Sequence, residues 1–166
     1  MSRYAEKSRY AVNVTPLRRA YQTSSENLPI PLLRRLGAVI RELDDLRRCI
    51  ERILANTHGS PREWKVMCTP LLLRLPAARQ ALANLAGIRA GQWPDTDWAV
   101  RLRAAHDEVD GRLLDVSMAV NSLAHREMAS IGEVANLDFD GAKLAEALDG
   151  LCHLIASQYP KVLDSL

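Results

Sequence analysis

The chain has 166 residues, 48% of them hydrophobic and 25% charged, with a formal net charge of +2. That length and balance fit one soluble globular domain able to bury its own core. They exclude a membrane span, because the longest apolar runs are only a few residues, and the charged start lacks the apolar region of a secretory signal.

The first 28 residues read as a basic arm and connector, and residues 29–166 as the folded body. Ser2-Arg3-Tyr4-Ala5 returns six residues later as Ser8-Arg9-Tyr10-Ala11. In an extended chain this even offset puts Arg3 and Arg9 on one face, and Tyr4 and Tyr10 on the other. In a helix the same offset separates the two units by about 240°, so the doubling suits an extended or partner-ordered arm. Arg18 and Arg19 add charge. Arginine binds phosphate and tyrosine stacks on a base, which points to nucleic acid. The same residues are also favoured anchors on a neighbouring protein. The connector QTSSENLPIP breaks at Pro29 and Pro31 and separates the arm from the body.

From Leu32 the apolar spacing is regular: Leu36, Val39, Leu43, Leu46, Ile50 and Ile53 follow in alternating steps of four and three, a coiled-coil-type seam. Gly59 is placed to end this helix, and Ser60-Pro61-Arg62-Glu63 to open the next as a capping box. The second helical stretch reads as broken. Thr69-Pro70 resembles a new start, Pro76 a kink, and Leu71, Leu75, Ala78, Leu82 and Leu85 mark the buried face. A third helix follows Pro94, capped by Asp95 or Thr96 with Asp97 in its first turn. Its seam is Trp98, Leu102, Ala105, Val109, Leu113, Val116, Val120 and Leu123, with a stutter after Val109. Residues 126–137 read as a fraying end and loop. Asp138-Phe139-Asp140 then caps a fourth helix with Leu144, Leu148, Leu151 and Leu154 or Ile155 inside. The expected fold is all-α: an antiparallel four-helix bundle with a kinked second stretch and an extended N-terminal arm.

Charge is segregated along the chain. Residues 29–93 carry eleven cations against five acids, and residues 94–166 six cations against thirteen acids. The pattern implies either surfaces for unlike partners or attraction between the two halves inside the bundle. With Leu36 at heptad position a, Arg34, Arg41 and Arg48 all fall at f, about 10.5 Å apart. Arg52 extends the row, and Arg35 and Arg47 flank it. Such a line can track a nucleic-acid backbone. Interspersed Glu42, Asp44, Asp45 and Glu51 equally fit an ordinary solvated face with i,i+3 and i,i+4 pairs.

Sites for catalysis are sparse. Gly-rich phosphate loops, GxSxG and HExxH motifs are missing. Cys49, Cys68 and Cys152 are scattered, without a CxxC pair, and read as reduced thiols of a cytoplasmic protein. His106 with Asp110, and Asp149 with His153, are i,i+4 pairs that suit solvated helix faces better than a metal, so neither metal nor cofactor is expected. Arg101-Leu-Arg-Ala-Ala-His106 resembles the Arg-x4-His signature of HEPN ribonucleases, which are helical bundles too. That likeness implies His106 as general acid/base and Arg101 on phosphate. Leu102 departs from the pattern, which usually has a polar residue after the arginine.

The basic arm, the Arg-lined helix, the bundle and the stretch from Leu137 to Leu151 resemble the small helical subunits of CRISPR effector complexes. The resemblance implies a non-catalytic subunit of a nucleoprotein assembly, with its basic half on an RNA or single-stranded DNA backbone. It also implies stacking head-to-tail on other subunits through Asp107, Glu108, Asp110 and Asp115. A HEPN-like ribonuclease and a protein-interaction adaptor bundle are the alternatives.

Overall fold

In the computed structural model, residues 28–55, 61–92, 97–124 and 131–165 are described. The arm, with Arg3, Tyr4, Arg9, Tyr10, Arg18 and Arg19, lies outside them. So do Gly59, Ser60, Asp95 and Thr96, the residues expected to cap three of the helix ends.

Four long helices follow in chain order: α1 (Ile30–Leu54), α2 (Pro61–Gln92), α3 (Asp97–Ala124) and α4 (Ile131–Gln158), then a 3-10 helix (Pro160–Ser165). Connections this short force antiparallel neighbours. Each helix packs on the next, α4 closes the bundle against α1, and the 3-10 helix packs on α1 and α4. Thus α1 and α3 lie on one diagonal of the bundle, and α2 and α4 on the other.

Helix α1 starts without a polar side-chain cap. Pro29 holds φ −56° and ψ 144°, and its carbonyl accepts from the amides of Leu32 and Leu33 at 3.0 and 3.1 Å. Pro31 in the first turn has no amide that would otherwise lack a partner. All seven seam residues from Leu32 to Ile53 are buried, as their spacing demands. The buried arc is wider than that seam, however, and takes in Gly37, Ile40, Asp44, Arg47 and Cys49. Three elements pack against α1, and a two-position seam serves only one partner.

Helix α2 corrects the expected break. It runs unbroken through Thr69, Pro70 and Pro76. Both prolines stand on the exposed side, where water can satisfy the carbonyls that lose a donor. Leu71, Leu75, Ala78, Leu82 and Leu85 are all buried. In α3, Trp98, Leu102, Val109, Leu113, Val116 and Val120 are buried on both sides of the stutter, and Asp97 stands in the first turn.

Helix α4 begins earlier than its sequence suggested. Ile131–Leu137 are helical, so Asp138-Phe139-Asp140 lies within the helix and does not cap it. Buried Leu137 anchors these early turns in the core. The cost falls on Asp138: its Oδ1 is buried without a hydrogen-bond partner, and desolvation raises its pKa. Gly141 brings α4 close to α1, since a Cβ there would lie 3.4 Å from Ile50 Cγ2 and 3.7 Å from Leu54 Cδ2.

Aromatic packing fastens α3 to the end of α4. Trp98 Nε1–H donates to the Leu154 carbonyl at 3.0 Å. Its ring meets Tyr159 edge to face, with centroids 5.4 Å apart and planes at 89°. Among the described residues, no helix is long and apolar enough to cross a membrane.

Candidate functional site

The arginine row on α1 was the leading candidate in the described chain, and the fold splits it. Arg34 and Arg52, at its two ends, are exposed, whereas Arg41 and Arg48 are half-buried. Arg48 Nη2 donates to Asp44 Oδ2 at 3.0 Å. The other Asp44 oxygen accepts from Arg47, at 3.0 Å from Nε and 2.7 Å from Nη2. Arg47 Nη1 reaches Glu51 Oε2 at 2.8 Å.

One carboxylate therefore bridges two guanidinium groups, and Arg47, expected on the flank of an open row, is 1% exposed. Its heptad position turns toward a neighbouring element, and the three charges let it be buried there. Asp45 takes Arg74 of α2 at 3.3 Å. Three of the four interspersed acids thus act as ion-pair partners, with the Asp44–Arg47 pair buried and not on a solvated face. Arg34 and Arg41 instead line a cleft between α1 and the 3-10 helix, with Ile30, Leu33, Ala38 and Asp164.

The Arg-x4-His pair is not brought together. A five-residue offset turns about 140° around a helix, so the two side chains leave different faces. Arg101 is exposed. His106 turns to α2, where its Nε2–H donates to the Leu82 carbonyl at 2.9 Å. Its Nδ1 lies 3.4 Å from Asp107 Oδ1; the contact falls on Asp107, and not on Asp110 one turn away. His153 and Asp149 do share a face: the imidazole Nδ1 lies 2.8 Å from the Asp149 carbonyl and 3.4 Å from its carboxylate. His106 thus links α3 to α2, whereas His153 bonds back to its own helix.

All three cysteines are buried. Burial pushes the Cys68 thiol up to about 11, helped by nearby Cys49. The Cys49 thiol is also raised by burial, an effect that Arg52 and Arg74 partly offset. A thiol held protonated is a poor nucleophile and a poor metal ligand. Among the described residues, no group of three or more histidines, cysteines or acids could hold a metal ion.

No protein-family model matches the chain. No curated protein and no solved structure is significantly similar to it.

Exposed apolar side chains are the feature that periodicity missed. Val66 and Leu73 of α2 are 69% and 75% exposed, and Leu114 and Met118 of α3 are 57% and 64% exposed. One signal was readable: Leu71-Leu72-Leu73 sweeps about 200° of helix surface, more than one buried face can take. Another was the stutter, which puts Leu113 in the core and its neighbour Leu114 outside.

Proposed function

We propose that this chain is a non-catalytic helical subunit of a larger assembly, a bundle that offers outer faces to other chains. The observation that carries the reading is the pair of exposed apolar side chains one turn apart on α3, Leu114 and Met118, to which α2 adds exposed Leu73. His106 and His153 bond to backbone carbonyls, and the buried charges of α1 bond to one another, so neither set is poised for chemistry. A HEPN-like ribonuclease would need His106 turned to a phosphate, whereas its Nε2–H is held by the Leu82 carbonyl of α2.

Contact with a nucleic-acid backbone is a second reading, favoured by exposed Arg34 and Arg52 together with the basic arm. The small CRISPR effector subunits are the specific assembly that this reading suggests.

The test is crosslinking in the native host followed by purification of the tagged full chain, wild type against Leu114→Glu/Met118→Glu. The expected result is a stoichiometric set of protein partners that the charged variant loses. A wild-type chain that crosslinks to nothing, or RNA cleavage by the purified chain that His106→Ala abolishes, overturns the proposal. Salt-sensitive binding of labelled single-stranded RNA, lost with Arg34→Ala/Arg52→Ala, would favour the second reading.

A further inference from the structure

Between α3 and α4 lies an open groove of about 350 Å³, at the low end of the range of about 300–1,000 Å³ usual for small-ligand sites. The two helices run antiparallel, and Trp98 fixes their register by touching both Leu154 and Tyr159. Counting along each helix from the middle of that contact, Ala105 comes level with Gly150, Glu108 with Glu146 and Ala147, and Arg112 with Lys143. The groove is therefore layered. Small residues come first, then two carboxylates, then two cations, in steps of three or four residues, about 5 Å each.

Like charges face each other in both charged layers. Facing carboxylates repel, and so do facing cations, so the empty groove gains nothing from this order. Among the described residues, none of these four side chains has an ion-pair partner, and Lys143 Nζ stands 5.8 Å from the centre of the Phe139 ring. The ring steadies the ammonium without neutralising it. The layer of small residues is kept clear as well. A Cβ on Gly150 would meet no neighbouring atom within 4 Å. Glycine weakens a helix interior, and here no packing need of the fold explains it.

We infer that the groove binds a small zwitterion, a free α-amino acid or a dipeptide with an apolar side chain. Arg112 and Lys143 hold its carboxylate through charge-assisted hydrogen bonds, and Glu108 and Glu146 hold its ammonium. The apolar side chain lies over Gly150, against Ala105, Ala147 and Leu151. Each ligand charge replaces one repulsion by two attractions. A ligand with a single charge answers one layer and leaves the other repelling. Glu108, Lys143 and Glu146 are exposed and Arg112 is half-buried, so solvent and salt screen the contacts and binding is weak.

Amide NMR spectra of the full chain, titrated at about 50 mM salt, test this. The probes are leucine, leucyl-alanine, leucinamide (ammonium only) and N-acetyl-leucine (carboxylate only). The expected result is shifts at Ala105, Glu108, Lys143 and Gly150 with leucine or leucyl-alanine, and binding about tenfold weaker with either single-charge probe. Binding of either zwitterion supports the inference, and the tighter of the two tells a free amino acid from a peptide. Gly150→Leu should fill the groove and abolish the shifts, while its melting temperature holds or rises because leucine favours the helix. Glu108→Gln/Glu146→Gln, at two exposed positions, should reverse the preference to N-acetyl-leucine over leucine.

No shifts with any probe up to about 10 mM, or shifts as large in Gly150→Leu as in wild type, overturn the inference. Equal binding of leucine and N-acetyl-leucine overturns it too, and leaves only an anion site at Arg112 and Lys143.

Discussion

The two halves of α1 carry the same residue types and use them in opposite ways. In the C-terminal half, Asp44, Arg47, Arg48 and Glu51 form one linked set, with Arg47 fully inside. In the N-terminal half, Arg34 and Arg35 stand in solvent. Arg34 and Arg48 share heptad position f, yet the first is exposed and the second half-buried, so place in a heptad does not by itself decide exposure. What decides it is whether another element packs on that side and whether a carboxylate lies one turn away.

The largest effect should come from breaking the inner set. Arg47→Ala leaves Asp44 buried with less compensation and should cost about 3–5 kcal/mol in urea unfolding. Removing a buried ion's partner leaves its desolvation unopposed, so the loss should exceed that of any exposed arginine. His106→Ala comes next. It removes the donor to the Leu82 carbonyl between α2 and α3 and should cost about 1 kcal/mol by the same measurement.

Asp138→Asn sharpens the comparison with the opposite sign, since this buried oxygen has no partner. Its folded pKa lies above the ordinary value of 3.8. The native state therefore holds its proton more tightly than the unfolded chain, and stability falls as pH rises from that value through the folded one. The variant should be slightly more stable than wild type at neutral pH, and the gain should vanish below the unfolded value. Thermal melts across pH check this. The smallest effect belongs to Arg34→Ala/Arg35→Ala, within about 0.5 kcal/mol of wild type because both side chains are in water. A loss as large as that of Arg47→Ala would show that the N-terminal half is locked too.

Much of the architecture was legible in single residues. Alternating steps of three and four from Leu32 to Ile53 fixed α1 and its core face, and Trp98 to Val120 did the same for α3. Helix α2 was read as broken because proline removes a local hydrogen bond. The loss is tolerated when the ring faces solvent, a fact visible only once the neighbours are placed. The start of α4 was missed because Ile131–Leu137 has weak local signals and is held by the burial of Leu137. The candidate site was legible as a list of arginines and not as a surface. Spacing gave Arg34, Arg41, Arg48 and Arg52 one stripe, while the packing of the 3-10 helix and the Asp44 carboxylate divided it.

By itself the sequence determined an all-helical bundle, its seams and its charge segregation, because helical periodicity and side-chain charge are properties of neighbours along the chain. Tertiary structure alone decided that Arg47 is inside, that His106 bonds to Leu82, and that Leu73 and Met118 are outside. It also placed α1 and α3 on a diagonal. Burial depends on which elements surround a residue, and four helices can surround the same side chain in ways that their separate periodicities do not encode.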